Sequence, residues 1–277
     1  MKNLFYLLAA VVLFSACKEK TITIPTLTVG KRRVLVEEGT GVRCVNCPTG
    51  ARLLTDLREH TYGDSNLVVV SIHCGGGGLS GYSKPYSNSK YDFQTARGYA
   101  MVNNYIGVPD GFPESSIDRH KVGDGWFTPP VQWPGIIGDE FNQDYGLDLF
   151  VKNTFDAGSR ELKVTVNIAP GQAQPFENHL SVVITQDSIY DLQLDGAVDT
   201  HTPIQYWHNH VFRDIITDLG GDVINEPLTA GALVTKTYTY TLPADWDEKH
   251  CHVVAFVHHA GTPDKDVLQV TEKKVIQ

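Results

Sequence analysis

Residues 41–50 read GVRCVNCPTG, with Cys44 and Cys47 separated by Val45 and Asn46 and followed at once by Pro48. Upstream, Val34-Leu35-Val36 has the composition of a short strand. Downstream, Ala51, Leu53, Leu54 and Leu57 recur at helical spacing, and Pro48 suits the first turn of that helix. Residues 66–74, NLVVVSIHC, form an unbroken apolar run of the kind found in a parallel sheet covered on both faces. Together these segments predict a βαβ unit with the cysteine pair at the C-terminal end of its first strand.

The pattern continues with a loop-like GLSGYSKPYSNS, a helix expected over residues 91–105, and YIGVPDGFPESSIDRH, a Gly/Pro-rich turn leading into a strand over residues 115–119. A last short helix is expected over residues 134–142. From about Tyr145 the chain changes to alternating strand patterns: LDLFVKNTFD, ELKVTVNIAP, HLSVVITQDS, HNHVFRDIIT, TKTYTYTLP, HCHVVAFVHH and VLQVTEKKV. Such segments, separated by turn residues, predict an all-β sandwich of immunoglobulin-like type with no disulfide between its strands.

The order C-x-x-C after a first strand, then Gly111-Phe112-Pro113 before a later strand, resembles the thioredoxin fold. That likeness implies a cis proline at Pro113, beside the cysteines. More narrowly, EEGTGVRCVNCPTGARLL, GFPESSIDR and HNHVFRDIITDLGG resemble the outer-membrane-protein-28-related lipoproteins of Gram-negative bacteria. This resemblance implies an α/β thioredoxin-like domain followed by a β-sandwich, located at the outer membrane, and brings no established activity with it.

The N-terminus fits such a location. Residues 1–16 carry Lys2, an apolar run and small residues before Cys17, the layout of a secretory signal peptide. The apolar run is shorter than the roughly 20 residues a membrane-spanning helix needs. Phe14-Ser15-Ala16-Cys17 resembles a lipobox, which implies an acylated Cys17 as the mature N-terminus and the membrane as a partner through its lipid. The expected division is therefore a leader at 1–16, lipidated cysteine and tether at 17–32, a thioredoxin-like domain at 33–144 and the β-sandwich at 145–277. Periplasmic and cell-surface orientations both fit.

Lys and Arg number 23 against 32 Asp and Glu, for a net charge of −9, so there is no basic excess with which to bind nucleic acid. No phosphate loop, Ser/His/Asp order or paired catalytic carboxylate stands out. At the start of a helix a thiolate is stabilised by unsatisfied N–H groups, so Cys44 reads as an exposed nucleophile and Cys47 as its resolving partner. Pro113 with Phe112 would form the wall of a peptide groove. Arg43 is positioned to lower the Cys44 thiol by charge, but the pair lacks a preceding tryptophan. Zinc is the rival chemistry, yet one C-x-x-C supplies only two ligands. A structural disulfide is the other alternative, since disulfides persist in exported proteins.

Cys74 and His73 end the second strand and are expected near Cys44, with Cys74 either a third working thiol or a small residue closing a buried strand. Cys251 is a conceivable partner for Cys74. Eight of the 11 histidines lie between His179 and His259, and the pairs His208/His210 and His250/His252 share the i, i+2 spacing of one strand face. These histidines are read as sheet residues rather than metal ligands, and no cofactor is expected. Two functions follow: thiol–disulfide exchange on exported proteins, or non-enzymatic binding of an outer-membrane β-barrel, a peptide or a glycan by a surface lipoprotein.

Overall fold

The computed structural model describes residues 32–75, 78–261 and 264–276. The expected leader, Cys17 and nearly all of the tether lie outside the described residues. The chain forms a mixed α/β structure built mostly of strands.

Strand β1 (Val34–Thr40) leads through the Cys44–Cys47 loop into helix α1 (Cys47–Asp56), which continues as a π-turn to Tyr62. Strand β2 (Leu67–His73) returns parallel to β1, in register from Val34 opposite Leu67 to Thr40 opposite His73. Every residue of β1 and β2 is buried. Such a strand must be covered on both faces, and the apolar run at residues 66–74 announces this. A one-turn helix, α2 (Ser80–Ser83), falls in the segment read as loop. Helix α3 (Ala96–Met101) runs on as a π-helix to Ile106 and starts where the Thr95 hydroxyl accepts from the Gly98 amide. Strand β3 (Glu114–Ile117) pairs antiparallel with β1, and helix α4 (Trp133–Phe141) closes this part.

The seven segments read as strands after Tyr145 all form strands: β4 (Leu147–Asp156), β5 (Glu161–Pro170), β6 (Asn178–Gln186), β9 (Val211–Ile215), β11 (Val234–Thr241), β12 (Cys251–His259) and β13 (Val267–Lys274). Two further strands, β7 (Ile189–Asp195) and β8 (Asp199–His208), make a separate hairpin. A short β10 (Asp222–Val223) pairs with β6.

The strands do not sort into a self-contained sandwich beside a self-contained α/β sheet. One sheet runs β13-β12-β6-β9-β2-β1-β3, joined where Ser71 of β2 meets Val211 of β9. On one face of this sheet, α3 and its π-turn bury Met101, Val102 and Ile106 against Val68, Val70, Val183, Val254 and Phe256, so a single core spans both parts. On the other face, α1 and α4 cover β1–β3 with Leu54, Leu57, Trp133 and Ile137. Beyond them a three-stranded sheet, β11-β5-β4, packs Leu162, Val164, Val166 and Ile168 against Leu180, Val182, Val253 and Ala255. Each fully buried side chain of this size contributes roughly 1.5–3 kcal/mol, so neither face is dispensable.

Candidate active site

Cys44 and Cys47 form a disulfide, with their Cα atoms 5.4 Å apart. The loop ahead of α1 is tight: the Cys44 amide donates to the Gly41 carbonyl at 3.0 Å, and the Thr49 amide to the Asn46 carbonyl at 3.0 Å. Asn46 stands at the helix N-cap without a capping side-chain bond, and Pro48 follows in the first turn. The Phe112–Pro113 peptide is cis. Pro113 lies against the first turn of α1, where a Cβ on Gly50 would come within 2.8 Å of its ring. Asn46, Thr49, Phe112, Pro113 and Pro130 bound an open groove beside the loop.

Cys44, expected at the surface, is only 3% exposed and Cys47 only 2%. The cover is the β7–β8 hairpin. Its Leu194 amide donates to the Val42 carbonyl and its Gly196 amide to the Val45 carbonyl, each at 2.9 Å. The Gln193 amide nitrogen donates to the Gly41 and Cys44 carbonyls, both at 3.2 Å. Arg52 of α1 pairs with Asp195 of the hairpin at 2.8 Å. From the other side the Arg43 amide donates to the Tyr82 carbonyl, and its guanidinium bonds the Lys84 and Pro85 carbonyls while lying 4.2 Å from the Tyr86 ring centroid. Arg43 is thus committed to the 82–86 segment.

Behind Cys47 lies a cavity of about 60 Å³ whose lining includes Glu38, Ser71, His73, Gln193 and His208. Glu38 is 1% exposed; one carboxylate oxygen accepts from the Ser71 hydroxyl at 2.9 Å, and the other has no partner. Burial pushes the Glu38 carboxyl up to about 7, against the pull of the Ser71 bond. Burial also holds His73 well below the usual imidazole range, with the charges of His208 and Arg213 adding to it.

His73 and Cys74 part company at the end of β2, as alternation in a strand requires. His73 joins the cavity behind Cys47, whereas Cys74 packs in the core beneath α3, on the opposite face. Cys74 and Cys251 are both free and buried, and burial pushes each thiol up to about 12. A thiol held that far up is a poor nucleophile.

The two i, i+2 histidine pairs do not share strand faces, because β8 ends at His208 and β12 begins only at Cys251. His208 enters the cavity, while His210 and His252 approach Asp187 at 3.3 and 3.5 Å, and His252 also pairs with Glu272 at 3.2 Å. Arg58 of the α1 π-turn pairs with Glu272 at 2.8 Å, tying the helix to β13. Among the described residues no group of three or more His, Cys, Asp or Glu is placed to hold a metal ion.

Glu38, Gln193 and the whole β7–β8 hairpin escape the sequence reading. Signals for them exist: Glu37-Glu38 interrupts an otherwise apolar strand, and Ile189, Leu192 and Leu194 precede Asp195-Gly196, a dipeptide typical of hairpin turns.

The family model described as "Outer membrane protein Omp28" matches residues 100–277, a span that takes in Pro113 and begins after the cysteine pair. Among solved structures, HBP35 of Porphyromonas gingivalis is similar with a TM-score of 0.68 at 20% identity, over 88% of this chain and 76% of that one. That likeness is one of fold. A domain of the outer membrane lipoprotein Omp28 from the same organism shares 19% identity over 47% of this chain and 88% of its own, at a TM-score of 0.33. No curated protein matches. Among the described residues no helix is long and apolar enough to cross a membrane.

Proposed function

Because this chain belongs to the Omp28 family of outer membrane proteins, we propose that it is a lipid-anchored envelope protein that exchanges its Cys44–Cys47 disulfide with thiols of exported proteins, from a closed resting state. Acylation of Cys17 supplies the anchor in this reading. A thioredoxin-like part at 33–144 carries the cysteines, and an immunoglobulin-like part at 145–277 supplies the cover and shares the central sheet.

The observation that carries the reading is Glu38. A carboxyl 1% exposed, with one oxygen unpartnered, is destabilising wherever it serves only packing. Lining the same cavity as Cys47, it has chemical use. A substrate thiolate attacks the Cys44 sulfur, the Cys44–Cys47 bond breaks, and Cys47 departs taking the Glu38 proton. A second substrate thiol then displaces Cys44, so two electrons pass from the substrate dithiol to the pair. In the reverse direction Cys47 returns its proton to Glu38 and attacks the mixed disulfide. The first amides of α1 are spent on the Cys44 and Asn46 carbonyls, so it is the positive end of the helix dipole that favours the thiolate in both directions. The groove along Phe112 and Pro113 is where the substrate chain would lie. Access to Cys44 requires the hairpin bonds from Gln193, Leu194 and Gly196 to open.

Burial of both sulfurs favours a second reading, in which the disulfide is a staple and the protein binds a β-barrel, a peptide or a glycan without turnover. The reduction potential of the pair and the alkylation rate of Cys44 after mild reduction, set against Cys44→Ser, separate the two. Exchange predicts a potential within the range of working thiol couples. A potential below about −300 mV, typical of structural disulfides, with no alkylation of the native protein, would sink it.

A further inference from the structure

Three buried side-chain atoms without a hydrogen-bond partner belong to residues around the cavity behind Cys47: Glu38 Oε1, His73 Nδ1 and His208 Nε2. Their residues are 1%, 4% and 5% exposed. Buried polar atoms are nearly always partnered, so three around one cavity mark a wet site. Its volume of about 60 Å³ accommodates a small cluster of waters, each needing roughly 10–15 Å³. The His73 and His208 rings meet edge to face at 5.9 Å, and Phe93 packs on both, at 4.9 and 4.6 Å. His208 ends β8 beside Trp207, which is 58% exposed.

We propose that His73 and His208, with the water the cavity holds, form a proton relay between Glu38 and solvent that serves Cys47 each time the Cys44–Cys47 bond breaks or forms. The proposal rests on the exchange reading above. A neutral imidazole accepts a proton on one ring nitrogen and releases one from the other, so it passes a proton without keeping it. Burial keeps both rings neutral, with His208 lowered to about 4. The proton is stored on Glu38 instead. The charged and titratable groups packed around this path are Tyr206 on β8, His210 between β8 and β9, Asp191 on β7, Arg213 near β9's centre and the Arg52–Asp195 pair. During reduction, each Cys47 thiolate that leaves takes one proton from Glu38, and the relay returns one from solvent. During oxidation the same proton moves outward.

The test uses the full oxidised chain and dithiothreitol between about pH 5 and pH 9, with rates corrected for the reagent's thiolate fraction. In the wild type the corrected rate falls as pH rises through about 7, where Glu38 loses its proton. His73→Gln and His208→Gln retain hydrogen-bonding capacity but cannot shuttle protons. They are expected to leave that step in place, because the proton for the first departure already sits on Glu38, and to slow roughly tenfold the exchange of protons between Glu38 and solvent. Glu38→Gln removes the step if Glu38 is the donor. If Glu38→Gln removes it while proton exchange at Glu38 is as fast in both histidine variants as in the wild type, the relay is overturned and the exchange reading stands. A step that survives Glu38→Gln, or is missing from the wild type, overturns both. Carboxyl ¹³C resonances of Glu38 in the oxidised proteins give a readout without turnover: slowed proton exchange in the histidine variants supports the relay, and unchanged exchange overturns it.

Discussion

Gly196 donates its amide to the Val45 carbonyl at 2.9 Å, and a Cβ at position 196 would lie 2.8 Å from a Val45 methyl and 3.0 Å from that carbonyl oxygen. The turn of the β7–β8 hairpin therefore touches the spacer between the two cysteines, backbone to backbone. Only glycine permits this approach.

Gly196→Val follows as the first test of the cover. The added side chain must push the turn away from Val45, weakening a set of bonds each worth about 1 kcal/mol net. If the closed state loses about 2 kcal/mol, the open fraction rises roughly thirtyfold, and so should the rate at which dithiothreitol reduces the native disulfide. Global unfolding should move much less, because the hairpin lies outside the main sheet. Paired measurement of reduction rate and denaturation midpoint checks both parts. An unchanged reduction rate would show that the hairpin does not limit access.

Glu38 gives a pH prediction whose sign is fixed by its raised carboxyl. Below pH 4.5 the group is protonated in both folded and unfolded chains and has no effect. Between 4.5 and about 7 the unfolded chain ionises while the folded one holds its proton, so stability falls as pH rises. Above about 7 the whole penalty applies, at most about 3 kcal/mol. Glu38→Gln should thus be more stable than wild type at pH 8 and indistinguishable from it near pH 4. Urea midpoints at the two pH values decide the matter. The Ser71 hydroxyl still finds an acceptor in the glutamine, which keeps the comparison clean.

How far these features are legible in sequence depends on their range. The β1–α1–β2 unit can be read because its signals are local: an apolar run, helical spacing and Pro48 in the first turn. The later strands can be read from alternation, and β5 shows it plainly, with Leu162, Val164, Val166 and Ile168 facing inward. The joining of the two sheets rests on the pairing of Ser71 with Val211, residues far apart in the chain that carry no mark of one another. The same holds for the cover over Cys44, since Gln193 reads as an ordinary strand residue until the fold brings it to the Gly41 carbonyl. Cys74 follows β2 at the same sheet edge as the end of β1, but the alternation that sends it to the α3 face sends His73 toward Cys47.

The shared core makes a prediction about cooperativity. Met101 is fully buried between α3 and strands on both sides of residue 144. Met101→Ala should destabilise the protein by about 2–5 kcal/mol, and hydrogen exchange should rise together in β2 and β12. Exchange confined to β2 would show that the two parts unfold separately.

The staple reading also makes a quantitative claim, and it is a weak one. A cross-link between Cys44 and Cys47 spans a sequence separation of only 3, and loop-closure entropy grows with loop length. For so short a loop the expected stabilisation is about 2 kcal/mol or less. The hairpin bonds and the Arg52–Asp195 pair hold the same loop without help from the disulfide. Cys44→Ser/Cys47→Ser should therefore fold, keep its hairpin protection in hydrogen exchange, and lose no more than that amount in chemical denaturation. A loss several times larger, with the hairpin exposed, would make the disulfide the element that organises this end of the sheet and would favour the staple over exchange.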